Sequence, residues 1–399
     1  MSHRFSRRQW LKGMAGVTGA TLAARAGLWP STAFAQAAPA EQSALLIIFL
    51  QGGYNAVFGS ADSFAGAGTF GVTGSNQRDL GNGLVVDGPT FGTLPQFALE
   101  HMATIGVRHG LTSHEAAQDA DFSDGRGHYA IQLAAAMGGD GAIKCVQVGS
   151  RNVPGDKPVE AGVSMQTITD MRTTIEALGG STDGSTPKRE IAEKAIDASR
   201  FMSAQTLVTS PVQTKVLGEG YSAAVETLRQ PVKPFDFAEL ATAYGLGATA
   251  TAVNNFRAQL AAAELTITAG ANVAVAMDGG WDTHGDRDAS NVRNMMNTRI
   301  LPPLKTFVSR MVAASDKNVV VAIMGDFARS LPGSDHAAAM SATVMGKYVK
   351  VGTSGRMNAN VQLPAGTPSV PGLWAYLTKV LRVTQQPFGT NPHTSLVVT

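Results

Sequence analysis

A single cysteine, Cys145, occurs in the 399 residues. That excludes an intrachain disulfide framework and any zinc or iron–sulfur site built from several cysteines. Charge is scarce too, with Asp, Glu, Lys and Arg making up 16% of the chain. The balance of 32 bases to 30 acids hides an asymmetry, because residues 1–35 hold Arg4, Arg7, Arg8, Lys12 and Arg25 and no acid. Without that segment 27 bases face 30 acids, so the rest of the chain sums to −3 and a basic nucleic-acid-binding body is not expected. No later stretch offers the uninterrupted apolar residues of a membrane span. Four tryptophans, with Trp10 and Trp29 near the N-terminus, are too few for an aromatic carbohydrate platform. The 44 glycines show no three-residue period, and with 44% hydrophobic residues the chain is neither collagen-like nor disordered. Phosphate-loop, H-E-x-x-H and G-x-S-x-G patterns are missing. Gly66-Ala67-Gly68-Thr69-Phe70-Gly71 fits G-x-G-x-x-G only as a string, since it follows no strand and opens no helix.

What is present begins with an address. Ser6-Arg7-Arg8-Gln9-Trp10-Leu11-Lys12 is a twin-arginine pattern, followed by small residues and closed by Ala33-Phe34-Ala35. Residues 1–35 read as a twin-arginine signal peptide, with residues 36–42 as a linker. A Sec signal and a basic amphipathic helix are the other readings. The weakly apolar middle, interrupted by Arg25, favours the twin-arginine translocase as export partner and a periplasmic or secreted location. That route carries folded proteins, which adds weight to a cofactor acquired before export.

Residues 43–50 (SALLIIFL) form a continuous apolar run of strand length, as in a buried central strand. Residues 102–107, 144–148, 272–277 and 319–324 read as further strands. Helix-compatible stretches fall near 128–137, 189–200, 213–229, 236–265, 290–314 and 373–382, with Pro302-Pro303 expected to break or kink the fifth. Alternating strands and helices predict an α/β domain over 43–399, a mostly parallel sheet with helices on both faces. Residues 59–92 read as a long surface excursion and 150–270 as a mainly helical insertion. Cys145, inside an apolar run, reads as inert core.

The polar residues that carry chemistry fall just after these strands, where open α/β sheets bind ligands. Asn55 follows the first strand; His109, Ser113 and His114 follow the second. Asp278 and then Trp281-Asp282-Thr283-His284 follow 272–277; Asp326 follows 319–324, with Asp335-His336 nine residues on. Asp and His suit a divalent metal such as zinc. Taken singly each has an ordinary alternative: Asp282 capping a turn, Asp335-His336 capping a segment at 337–340, Ser113 capping a helix. A serine at a helix N-terminus beside a metal could instead act as a nucleophile. His128 reads as an exposed loop histidine, with a supporting role behind the ligands as the other reading. Arg329 could pair with a phosphate or sulfate, or equally with a nearby acid.

Together, Leu45-Leu46-Ile47-Ile48-Phe49-Leu50-Gln51-Gly52-Gly53, Ser113-His114-Glu115-Ala116, Gly279-Gly280-Trp281-Asp282-Thr283-His284, Gly325-Asp326-Phe327-Ala328-Arg329 and Asp335-His336 occur in one order behind the twin-arginine leader. The set resembles the bacterial family called domain of unknown function 1501, which itself resembles the alkaline phosphatase and sulfatase superfamily. The resemblance implies an alkaline-phosphatase-like fold and a divalent metal, zinc, as one or two ions. It implies a phosphate- or sulfate-ester substrate. Asp282, His284 and His336 would correspond to one metal site; Asp326, Asn55 and Ser113 to the other, with Ser113 as nucleophile. His114, Asp335 and Arg329 would touch substrate or support the ligands. The family's usual Asp and Glu are replaced here by Asn55 and Asp326, and Phe327 stands where active phosphatases carry a ligand. The implied alternative is a non-catalytic envelope binding or assembly protein that keeps the hydrolase fold. No C-x-[PA]-x-R sequence exists, which excludes a formylglycine sulfatase.

Overall fold

The apolar run at 43–50 lies in the middle of a sheet, as its lack of polar alternation requires. In the computed structural model, strand β1 spans Gln42–Gln51, and Leu45 through Leu50 are each fully buried. At about 1.5–3 kcal/mol per large apolar side chain removed from water, a register slip of this strand would be heavily penalised. The structure describes residues 42–54, 56, 75–139, 141, 143–179, 194, 197–198, 201, 236–286, 288, 290–313, 316–329, 335–358 and 362–399. Asn55, most of the 189–200 stretch and all of 213–229 lie outside these residues. Contacts divide the chain into two compact units, the larger comprising residues 38–138, 143–171 and 236–399. The larger unit holds every candidate site residue that the structure describes.

Its strands, in chain order, are β1, β2 (Gln77–Gly81), β3 (Leu84–Asp87), β4 (Met102–Arg108), β5 (Cys145–Val148), β6 (Met165–Ile168), β7 (Val273–Gly279), β8 (Lys317–Gly325), β9 (Ala339–Met345) and β10 (Gly352–Ser354). Eight form one sheet in the order β10-β4-β9-β8-β1-β7-β5-β6. Only β9 runs against its neighbours, so the sheet is mostly parallel. The helices are α1 (Gln96–Glu100), α2 (His114–Phe122), α3 (Tyr129–Met137), α4 (Met171–Gly179, which leads out of this unit), α5 (Phe237–Tyr244), α6 (Phe256–Thr268), α7 (Ser290–Met295), α8 (Leu301–Phe307) and α9 (Val370–Val380).

Both faces of the sheet are covered, as the strand and helix alternation predicted. Leu45, Ile47 and Phe49 of β1 join Val275, Ala322 and Ala342 in one apolar cluster with α3 and α9. Leu46, Ile48 and Leu50 point the other way, because side chains alternate along a strand. On that face α6 packs on β7 and β5. Cys145 is buried, and burial pushes its thiol up.

Several expectations need correction. A cap at Asp335-His336 for residues 337–340 was the alternative reading there, but Ala339–Met345 is a fully buried strand paired with β4 and β8. Its small and branched residues fit the close space between two strands. The 236–265 stretch is two helices: α5 stops at Gly245, left-handed at φ +61°, and α6 starts at Asn255, whose side chain accepts from Ala258 N. Within 59–92, residues 77–87 form an antiparallel hairpin. Within 150–270, β6 extends the main sheet beyond β5. His128 is not an exposed loop residue: it is 1% exposed at the start of α3, stacked on Phe122 with Nε2 3.1 Å from the Pro154 carbonyl. The interruption expected at Pro302-Pro303 is present: a π-helical turn at Met296–Ile300 separates α7 from α8, and the prolines lie in the first turn of α8.

The topology brings the candidate residues to one edge. Strands β7 and β8 flank β1 in parallel, with Leu50 opposite Asp278 and Gly325. All three therefore end together. Strand β4 is antiparallel to β9, which is antiparallel to β8, so β4 also ends at this edge and β9 begins there. The segments 109–114, 280–284, 326–329 and 335–338 consequently emerge side by side.

Candidate metal centre

The Gly279-Gly280-Trp281-Asp282-Thr283-His284 segment places its polar side chains by alternation. Trp281 and Thr283 are buried, while Asp282 and His284 face outward. Trp281 anchors the turn: its N–H donates to the Gln51 carbonyl, its Nε1 donates to Asp278 Oδ2 at 2.8 Å, and its ring meets Tyr54 edge-on. Two glycines in β1's exit let the strands close. Gly52 has φ +121°, and a Cβ there would overlap the Asp282 backbone nitrogen. Gly53 has φ +68°, and a Cβ would overlap the Phe327 ring.

His114, Asp282 and His336 present one ligand atom each, all within 4.8 Å of one another. His114 Nε2 lies 3.8 Å from Asp282 Oδ2. His284 Nε2 lies 3.4 Å from Asp282 Oδ1 and 3.0 Å from His336 Nε2. Ligand atoms about 2.0–2.1 Å from a tetrahedral zinc sit about 3.3 Å from each other, which these spacings bracket. Among the described residues the group whose ligand atoms all lie this close is His114, Asp282 and His336; His284 is adjacent to Asp282 and His336 but is not one of the three.

The far sides of the imidazoles are fixed. His114 Nδ1 sits 2.7 Å from Asp326 Oδ2, and His336 Nδ1 sits 2.6 Å from the Thr112 carbonyl. A carboxylate or carbonyl can only accept, so each Nδ1 carries a proton, and in a neutral ring Nε2 is then the lone-pair atom; that of His336 faces His284 Nε2 at 3.0 Å, where it can accept the His284 N–H. Burial lowers the affinity of His336 for a second proton, which keeps its ring neutral; Arg329 and the neighbouring histidines add to this, and the Thr112 carbonyl opposes it.

Asp326 is fully buried and supports the centre from behind. Its oxygens accept from Gly52 N at 3.1 and 3.3 Å, from Gln118 Nε2 at 2.8 Å and from His114 Nδ1. Gln118 is held in turn by Gln51 Nε2, which donates to its Oε1 at 3.1 Å. Arg329 is also fully buried. It donates to the Gly52 and Gly53 carbonyls at 2.6 Å and to Asp282 Oδ1 at 2.5 Å. Of its two sequence readings, the structure supports the pairing with an acid. Phe327 packs against His336 at 4.1 Å and His114 at 4.8 Å, closing the apolar side.

Ser113 caps α2 with extended backbone, is exposed, and makes no side-chain cap bond. Asp335 is exposed and contributes its charge to the surroundings of Arg329. The sequence assigns His114 to the substrate or a supporting role; geometry places its Nε2 among the ligand atoms. Gln118, Gln51 and the Thr112 carbonyl were not picked out by sequence. Gln118 had a signal, since it lies four residues after His114 and so on the same helix face.

No family profile matches the sequence, and no curated protein is detectably similar to it. Among solved structures the chain is similar to an alkaline phosphatase from the Antarctic bacterium TAB5, at 10% identity and a TM-score of 0.31, over 86% of this chain and 99% of that one. A likeness that slight assigns neither activity nor ligand to this chain.

Proposed function

We propose that this protein is an exported metal-dependent hydrolase of phosphate or sulfate esters, with a single-ion centre formed by His114, Asp282 and His336. The observation that carries this reading is the pair of imidazoles whose Nδ1 atoms are held by Asp326 and the Thr112 carbonyl, with one ligand atom each of His114, Asp282 and His336 within 4.8 Å of one another. The donor set of two imidazoles and a carboxylate, with His284 adjacent, suits zinc. A bound divalent ion would supply charge stabilisation for an oxyanion at this edge. Ser113 is the proposed nucleophile: its hydroxyl is exposed beside His114 and is not used as a cap. Arg329, buried and already paired, orients Asp282. The twin-arginine leader completes the reading, with the periplasm or exterior as the place of action.

One observation favours a second reading. Both oxygens of Asp326 accept bonds from the protein, so a second ion at Asp326 would have to displace them. A protein holding one ion without turnover would then serve binding or assembly at the envelope. The deciding experiment reconstitutes the protein with zinc or manganese and assays aryl phosphate and aryl sulfate hydrolysis. The hydrolase reading expects turnover that disappears in Ser113→Ala and His114→Ala. Stoichiometric metal with no hydrolysis would favour the binding protein, and no metal uptake would overturn both.

A further inference from the structure

A polar cleft lies at the same sheet edge, beside the ends of β5 and β7. Its volume is about 480 Å³, and its walls include Arg151, Arg257, Arg299, Asn255 and Asp278. Three arginines line it against the single carboxylate of Asp278. Arg299 is committed, donating to Asp278 Oδ2 at 2.5 Å and to the Gly279 carbonyl at 2.8 Å. Arg151 and Arg257 are exposed, and among the described residues neither has a carboxylate partner. Like charges gathered with no counter-charge among the described residues beyond Asp278 repel, and in a concave site they attract an anion. Guanidinium groups match the oxygens of phosphate and sulfate through paired N–H donors.

The cleft is joined to the metal centre by a chain of polar side chains. Arg151 Nη1 donates to Gln51 Oε1 at 3.4 Å, Gln51 Nε2 donates to Gln118, and Gln118 donates to Asp326 behind His114. Gly279 also allows Arg151 to lie against the end of β7: a Cβ there would be 2.6 Å from its guanidinium carbon.

The geometry points to the Arg151–Arg257 cleft as a binding site for a phosphate or sulfate group, the second anionic group of an ester whose reacting end lies at the metal centre. The identity of that first group rests on the proposed hydrolase reading; the anion site itself does not. The substrate class is therefore a molecule bearing two oxyanions, such as a bisphosphate.

Calorimetric titration of the metal-stripped full chain with inorganic phosphate and with sulfate tests the site. Wild type is expected to bind. Asp282→Asn is expected to bind equally well, and the Arg151→Gln/Arg257→Gln double variant at least about tenfold more weakly. Because both arginines are exposed, the double variant should keep its unfolding midpoint. Equal binding by the double variant, or none by wild type, overturns the cleft. Zinc titration of the same proteins separates the two ideas: zinc binding should fail in Asp282→Asn and persist in the double variant. If zinc binding is absent while phosphate binding follows the arginines, the metal reading falls and the cleft stands. On zinc-loaded protein, one member of a series of linear alkane bisphosphates should bind at least about tenfold tighter than its monophosphate, a gain lost in the double variant. If no length gains, the claim that both anions belong to one substrate is overturned.

Discussion

Asp326→Asn removes one oxygen from the molecule and reverses the proton on a histidine. The carboxylate accepts from three donors: Gly52 N, Gln118 Nε2 and His114 Nδ1. The replacing amide has a single acceptor oxygen. Suppose that oxygen stays with the fixed backbone N–H of Gly52. The amide NH₂ then takes the Oδ2 position and faces both Gln118 and His114. Gln118 cannot turn its own oxygen inward without losing the bond it accepts from Gln51. His114 must present its Nδ1 lone pair, so its proton moves to Nε2 and blocks the atom aimed at the centre. Turned the other way, the amide NH₂ meets the Gly52 N–H head-on, leaving a buried donor unpaired at about 1–3 kcal/mol. Loss of a supporting partner of this kind typically weakens metal affinity by roughly 10–100-fold, or about 1.4–2.7 kcal/mol. Competitive zinc titration against a chelator measures it, and nitrogen chemical shifts of His114 in metal-free protein report the tautomer. Zinc affinity within twofold of wild type, with the His114 proton still on Nδ1, would refute the tautomer switch.

Other expectations concern the frame and its buried ionisable groups. Gly52→Ala forces φ +121° on a Cβ-bearing residue and drives that carbon into the Asp282 backbone nitrogen, so a loss of about 2–5 kcal/mol is expected in denaturant unfolding. Asp121 is fully buried, neither of its carboxylate oxygens has a hydrogen-bond partner among the described residues, and burial raises its affinity for a proton well above the carboxylate range, with Asp326 adding to the effect. Because its folded pKa is raised, the wild-type-minus-Asp121→Asn difference in denaturant midpoint should fall as pH rises above the ordinary carboxylate range, where only the unfolded chain ionises; a pH-independent difference would contradict this. Burial lowers the pKa of His128 from 6.5 to about 4, with Lys157 adding and the Pro154 carbonyl opposing. Its contribution is therefore complete above pH 6.5 and is lost as pH falls toward about 4, by at most about 3 kcal/mol. The wild-type-minus-His128→Phe difference in stability should show that slope between pH 6.5 and about 4; a flat difference would contradict it.

The centre of the fold was more legible in the sequence than its margins. Residues 43–50 and 319–324 are buried on both faces, so an uninterrupted apolar run was sufficient signal. β9 lacked one: AMSATVM mixes serine and threonine with alanine, and only its place between β4 and β8 makes it a strand. β6 and β10 are four and three residues long, too short to show a period. At the site, positions after strands singled out Asp282, His284, Asp326 and His336, because strand ends in a parallel sheet share an edge. Which nitrogen or oxygen each would present was not legible. That depends on long-range partners such as His114 with Asp326, separated by 212 residues. His128 misled for the same reason: its loop sequence looks exposed, and the Phe122 ring that covers it belongs to another turn.

The most direct measurement is anomalous diffraction at the zinc edge from crystals grown with zinc. One strong peak is expected about 2.0–2.2 Å from His114 Nε2, His336 Nε2 and an Asp282 oxygen, and it should vanish in His336→Ala. Crystals in which no peak lies within ligand distance of these three residues, at saturating zinc, would contradict a metal centre at this edge.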